Sequence, residues 1–265
     1  MRRVRFTLDR REDPGCGATD ASHDTVWRVR GSEPALDSLL RRHELSQRSC
    51  AALGPLLKQL ALPDAPTSVH DPAEAVDVHV ADSLAALGVP ELRRAALIAD
   101  IGSGAGLPGL VLAAALPDAR VVLVEAVGRK CAFIRKAVAA MGLENAEVVW
   151  SRAEEWREGL GRCDAVCARA VAALPVLCEY AAPLLREGGV LVAWKGAITP
   201  SESDDTAAAA RHLGLAHEPV GSVVPFAGSE RRTLHVLRKV APTPAKYPRR
   251  AGMAAKRPLS ARNLR

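Results

Sequence analysis

Apolar positions in the first third of the chain recur at helical spacing, and from about residue 96 the pattern changes to short apolar runs set between helical stretches. Leu36, Leu39 and Leu40, then Leu53, Leu56, Leu57 and Leu60, carry the early helical signal. Gly54-Pro55 predicts a break there between two short helices. Asp71-Pro72 predicts the next helix start: Asp71 is a good N-cap, Pro72 suits the first helical position, and Glu74 completes a capping box. Val76, Val80, Leu84 and Leu87 form its apolar stripe, and Gly88 ends it.

The later runs are residues 96–101, 120–124, 146–150, 164–168 and 190–194, with helix-like segments near 108–116, 128–141 and 172–185. A further helix near 201–213 and two late strands, 216–220 and 233–240, close the pattern. Buried strands alternating with helices predict βαβ units around a parallel sheet, a three-layer α/β domain. The expected organisation is a disordered extension over 1–34, N-terminal helices over 35–90, the α/β domain over 91–240, and a basic extended tail over 241–265 that begins at Pro242, Pro244 and Pro248.

The 265 residues, 48% apolar and 25% charged, exclude disorder throughout and allow a sizeable core. No stretch reaches the roughly 18 consecutive apolar residues of a membrane span, and the charged N-terminus lacks the apolar segment of a secretory signal. A cytoplasmic protein is expected, with no membrane partner. Six cysteines without a C-x-x-C pair indicate neither zinc nor a disulfide framework, which fits a reducing compartment. The net charge of +6 divides unevenly: +1 over residues 1–34, −5 over 35–229 and +10 over 230–265. A mildly acidic body with a basic end is the asymmetry of a protein that meets a polyanion; a solvated tail is the plainer alternative.

The most informative segment is Asp100-Ile-Gly-Ser-Gly-Ala-Gly-Leu-Pro-Gly109, directly between a strand and a helix. Such a turn lets backbone approach a ligand closely, and the following helix points free N–H groups into the crevice. It reads either as G-x-G-x-x-G at 104, 106 and 109, the dinucleotide fingerprint, or as the D-x-G-x-G-x-G loop of S-adenosylmethionine enzymes. Glu125, ending the second strand, suits ribose hydroxyls in both cases. The polar cluster Ser151-Arg152-Ala153-Glu154-Glu155-Trp156 after the third strand suits an adenine edge, although Glu154 equally reads as an ordinary first-turn acid.

Together with Ser151-Arg-Ala-Glu154, Ala168-Arg-Ala170, Lys195-Gly196 and His79-Val-Ala-Asp82-Ser-Leu84, the glycine string resembles the ribosomal RNA small-subunit methyltransferase G family over about residues 67–240. The resemblance implies a class I S-adenosylmethionine-dependent methyltransferase fold, Rossmann-like, with a mostly parallel sheet, an antiparallel C-terminal strand and a small N-terminal helical extension. It implies S-adenosyl-L-methionine as cofactor, and methylation of guanine N7 in 16S ribosomal RNA, free or within the 30S subunit. Cofactor positions carry over as Gly102, Gly104, Leu107, Glu125, Ala153, Glu154 and Arg169. The chain departs from the family at Ala65-Pro66-Thr67, where Asn-Leu-Thr is usual, and at Val78, where Arg is usual. The first 34 residues match nothing in the family and are expected to be a start-site extension.

The chemistry agrees with what the fourth strand carries. Amine methyltransferases resemble one another in an Asn/Asp-Pro-Pro-aromatic loop where this chain has Ala168-Arg169-Ala170. Cys167 is expected inside an apolar strand, where its thiol would be a poor nucleophile. Guanine N7 already exposes a lone pair, so no general base is needed and no catalytic residue is assigned. Positioning is enough. Arg169 and Lys195, at strand ends, are expected near the target base, Arg169 on the cofactor side and Lys195 toward RNA. Trp194 and Phe226 are candidates for base stacking, although buried core packing is the expected role of either. His79 and Asp82 are expected as a hydrogen-bonded helical pair with no metal role. The basic tail, Lys246, Arg249, Arg250, Lys256, Arg257, Arg262 and Arg265, is expected to bind phosphates and order on RNA. A monomer is the default. Two other functions stay open on the residues alone: a nicotinamide-dependent oxidoreductase using G-x-G-x-x-G, and a non-catalytic RNA-binding protein.

Overall fold

The computed structural model describes residues 33–218, 223–230 and 232–264. The disordered extension expected over 1–34 therefore lies almost wholly outside the described residues.

Helix α1 (Glu33–His43) leads into α2 (Gln47–Leu60), whose N-cap Ser46 accepts a hydrogen bond from the Ser49 N–H. Contrary to the predicted break, α2 runs unbroken through Pro55. An interior proline costs about 3 kcal/mol. Leu53, Leu56, Leu57 and Leu60 are all buried, each worth about 1.5–3 kcal/mol, so packing outweighs the lost bond.

Asp71 caps α3 (Pro72–Ala75) by accepting from the N–H groups of Ala73 and Glu74. The helix then widens into a π-helical turn, Val76–Ala81, before α4 (Asp82–Leu84) and a 3-10 turn, Ala85–Gly88. The predicted stripe Val76, Val80, Leu84 and Leu87 is buried, but the helix is not regular. After α5 (Pro90–Arg93) the alternating part begins: β1 (Leu97–Ile101), α6 (Gly109–Ala115), β2 (Arg120–Glu125), α7 (Gly128–Met141), β3 (Ala146–Trp150) and β4 (Cys163–Arg169). It continues with α8 (Leu174–Ala181), β5 (Leu185–Lys195), α9 (Pro200–Leu213), β6 (Leu215–Glu218), β7 (Thr233–Lys239) and α10 (Met253–Lys256).

The strands form one sheet in the order β3-β2-β1-β4-β5-β7-β6. β1 to β5 are parallel, and β7 runs antiparallel between β5 and β6. This is the Rossmann-like α/β arrangement expected from the sequence. One face of the sheet is covered by the N-terminal helices with α6 and α7, the other by α8 and α9, which makes three layers around two cores. The strand order reverses between β1 and β4, and the crevice above their carboxyl ends is where open α/β sheets bind ligands.

Residues 241–264 do not form an extended tail. Tyr247, Ala254 and Leu259 are buried against the second core, and Arg249 grips Glu179 of α8 through two hydrogen bonds, Nε to Oε1 at 2.7 Å and Nη2 to Oε2 at 2.5 Å. The Ala261 N–H donates to Asp205 on α9 at 2.9 Å. The positive segment thus finds part of its negative counterpart on the chain's own body, which segment charges alone could not reveal.

Candidate functional site

The glycine loop leaves β1 and crosses to α6 at this crevice. The Gly102 N–H donates to the Val124 carbonyl at 2.8 Å, which ties the loop to β2. Gly102 adopts φ +66° with Val171 packed close enough to exclude a side chain: a Cβ there would lie 2.8 Å from Val171 Cγ2. Gly104, at φ +60°, differs, because a Cβ there would meet only the Gly102 carbonyl oxygen, at 3.9 Å, an ordinary contact. The backbone is bare toward the crevice, as close approach of a ligand requires. Leu107 is buried beneath the loop.

Two carboxylates brace it. Asp100 is fully buried; its Oδ2 accepts from the Gly109 N–H at 2.9 Å, while Oδ1 has no partner among the described residues. Burial raises the Asp100 carboxyl to about 7, against the opposing pull of the Gly109 N–H and the Arg169 guanidinium. Glu125, at the end of β2, accepts from the Gly104 N–H at 2.9 Å and the Val127 N–H at 2.8 Å, one on each oxygen. A carboxylate offers about four lone-pair directions, so acceptor capacity for a hydroxyl remains. After β3, Ala153 and Glu154 lie in a short 3-10 turn, with Glu154 buried. Glu154 does not act as a simple first-turn acid: its Oε1 accepts from the Gly252 N–H of the docked C-terminal segment at 2.9 Å. Ala153 is half-buried beside it.

A second cluster lies across the carboxyl ends of β4 and β5. Arg169 Nη1 donates to Asp82 Oδ2 at 3.0 Å and to the Val78 carbonyl at 3.3 Å, and Nη2 lies 3.4 Å from His79 Nδ1. Facing a guanidinium, Nδ1 is the acceptor, so the imidazole proton sits on Nε2 and is donated to Thr67 Oγ1 at 2.9 Å. Burial, with Arg169 beside it, lowers the His79 imidazole to about 4 and keeps it neutral. The expected His79–Asp82 hydrogen bond is therefore absent. The π-helical turn upsets the i, i+3 stacking of a regular helix, and both side chains meet Arg169 instead. Thr67 and Val78, on segments that depart from the family pattern, still contribute here, one through its hydroxyl and one through its carbonyl.

Trp194 packs in the core as expected, while Lys195 and the tail cations have partners that the sequence did not show. Trp194 is 3% exposed and donates its indole N–H to the Asp82 carbonyl at 2.8 Å, so its ring is core and unavailable for stacking; Phe226 is half-buried against the same core. Lys195 is no open cation: its Nζ pairs with Glu202 at 3.1 Å and approaches the Ala172 carbonyl at 3.4 Å. The tail cations are partly engaged, as Arg249 shows. Cys167 behaves as expected, fully buried, its thiol pushed well above the usual range by burial and by Asp100.

Sequence reasoning missed two residues. Arg232, just before β7, places Nε 3.5 Å from Asp82 Oδ1. An antiparallel last strand starts at the carboxyl edge of its parallel neighbours, which would have been the signal. Trp150, at the end of β3, is 67% exposed with its indole N–H fixed to the Ala126 carbonyl at 3.0 Å. Among the described residues no helix is long and apolar enough to cross a membrane.

A family model described as rRNA small subunit methyltransferase G matches residues 60–233. The chain is similar to the ribosomal RNA small subunit methyltransferase G of Rubrobacter xylanophilus, 47% identical over 196 residues that cover 72% of this chain and 75% of the relative. It is similar also to that of Roseiflexus castenholzii, 44% identical over 203 residues, 73% and 83%. A crystal structure of a mutant of MtNAS shares the fold at a TM-score of 0.51 and 14% identity, over 78% of this chain and 82% of that one.

Proposed function

Since the chain belongs to the rRNA small subunit methyltransferase G family, we propose that it methylates N7 of a guanine in 16S ribosomal RNA with S-adenosyl-L-methionine as donor. The oxidoreductase and non-catalytic readings of the glycine loop give way to this membership. The observation that carries the donor is the uncrowded backbone at Gly104, where a Cβ would meet only the Gly102 carbonyl oxygen at 3.9 Å, beside the Glu125 carboxylate at the switch point of the sheet.

In this proposal Gly102, Gly104 and Leu107 hold the methionine part, Glu125 accepts from ribose hydroxyls, and the turn at Ala153 and Glu154 meets the adenine edge. Bound there, the cofactor supplies a methyl group on a positively charged sulfur. The protein's own work is geometric. Asp100, through Gly109, fixes the start of α6, and Glu125 fixes Gly104, so the cradle keeps its shape without a ligand. Arg169, held by Asp82, the Val78 carbonyl and His79, forms a rigid wall on the side of β4. No side chain need remove a proton, because N7 carries none. Orientation of the base against the donor is worth about 7–11 kcal/mol in well-aligned systems.

The test is to incubate labelled S-adenosylmethionine with 16S RNA, both naked and as the 30S particle, and to map 7-methylguanosine by chemical cleavage. Label at one guanine N7 is expected. Absence of transfer to either substrate by folded protein, together with calorimetric silence toward S-adenosylhomocysteine, overturns the proposal.

A further inference from the structure

We infer that Arg232 grips a backbone phosphate of the RNA at the mouth of the site, the role that strand-end position alone would give to Lys195. The inference rests on the proposed RNA substrate.

Three cations converge on the carboxyl edge of the sheet: Arg169 from the end of β4, Lys195 from the end of β5, and Arg232 from the residue before β7. β7 brings Arg232 there because it is antiparallel to β5, with Thr233 opposite Lys195. The three differ in what their donors do. Arg169 is 13% exposed in its side chain and directs its fork at a carboxylate, a carbonyl and an imidazole. Lys195 is 20% exposed and ion-paired with Glu202. Arg232 is 37% exposed, and its contact among the described residues is the 3.5 Å approach of Nε to Asp82 Oδ1. Its two terminal nitrogens, with four N–H groups, have no partner there.

Charge points the same way. Asp82 is fully buried and lies between two guanidiniums, Oδ2 on Arg169 and Oδ1 facing Arg232. One carboxylate cannot neutralise both, and His79 adds no charge. Asp100 also faces Arg169, and of the two arginines Arg232 is the one open to solvent. Asp82 meets that arginine at Nε, so the terminal nitrogens stay available to another acceptor. A fork presented in this way suits the paired oxygens of a phosphate. The Hoogsteen edge of the target guanine is a poorer match: N7 must stay bare for methylation, so a guanidinium there loses its usual second contact.

The test compares wild type, R232A and R232K for RNA affinity across a salt series, with S-adenosylhomocysteine affinity and Tm measured alongside. For R232A we expect RNA binding about 10- to 100-fold weaker, the loss of a charged hydrogen-bond pair. The slope of log K against log salt should fall by about 0.7, one phosphate contact on a single strand, with cofactor affinity unchanged. R232K should restore the slope and part of the affinity. Should R232A fail to fold, R232Q, which keeps a donor for Asp82, is read in its place. A slope unchanged in R232A overturns the assignment, and so does a Tm loss without a slope change, which marks a structural role. Relaxed preference for guanine at an unaltered slope assigns Arg232 to the base and also overturns it. Wild-type protein that shows no salt-dependent RNA binding overturns the RNA reading itself.

Discussion

Arg249→Ala should unfasten the C-terminal segment from the body and reveal how strongly it is held. Glu179 is 1% exposed in its side chain, and its two oxygens receive two of the three hydrogen bonds of the Arg249 fork, the third going to the Arg257 carbonyl. Removing the guanidinium leaves a carboxylate inside α8 with its charge uncompensated. Breaking a buried pair in this way costs about 3–5 kcal/mol. Arg249 itself is 24% exposed, so water can enter the vacated space, and the lower figure, about 3 kcal/mol, applies. For a chain of this size each kcal/mol lowers Tm by about 2–4 °C, so a drop of about 6–12 °C is expected. Differential scanning calorimetry and urea titration of wild type, R249A, E179Q and the double variant E179Q/R249M form the assay. The double variant should recover at least half of the loss, because it removes the stranded charge along with its partner. An R249A Tm within about 1 °C of wild type, or a double variant as unstable as R249A, would refute the reasoning.

Gly102→Ala should abolish cofactor binding in calorimetry and lower Tm, because the new methyl must sit at φ +66° and 2.8 Å from Val171; binding within twofold of wild type would contradict this. Asp100 sets a pH dependence: its folded value of about 7 lies above the ordinary 3.8, so between these the folded state keeps a proton that the unfolded chain has released. Its contribution is fully present below about 3.8 and lost as pH rises through about 7, so the stability of Asp100→Asn relative to wild type should rise across that window; a flat difference between pH 4 and 8 in urea titrations rejects it. Cys167→Ala should keep methyl transfer within about threefold, as a buried thiol held in its neutral form predicts, and loss of transfer in a folded variant would reinstate a nucleophilic role. Deleting residues 241–264 should lower both Tm and donor affinity, since Tyr247, Ala254, Leu259 and the Gly252 contact to Glu154 all go with it; donor affinity equal to wild type in thermal-shift titration would show that the segment does not support the pocket.

The sheet was legible in the sequence because its strands are continuous apolar runs and the breaks between them are glycine-rich or polar. The predicted helix over 128–141 agrees with α7 to the residue, since Gly142 supplies an αL stop. The glycine loop and its two acids were legible as well, because close backbone approach needs glycine itself. What remained hidden depended on partners far away in sequence. The π-helical turn at Val76–Ala81 directly precedes Asp82, which Arg169 and Trp194 reach from distant strands, and no local period encodes it. The continuity of α2 through Pro55 comes from burial that outweighs a local penalty. Lys195 read as an open charge because Glu202 stands on a different element, and the C-terminal segment read as a free basic tail for RNA because Glu179 and Asp205 are distant in sequence.

Glu154 and Gly252 are 98 positions apart, and Asp82 and Arg169 are 87 apart. Synthesis from the N-terminus completes every strand before the polypeptide that fastens the donor edge exists. The contact of Glu154 with Gly252 therefore depends on a segment that follows the whole sheet in the chain. Local fraying of residues 241–264 would release the contact of Gly252 with Glu154 without melting the sheet.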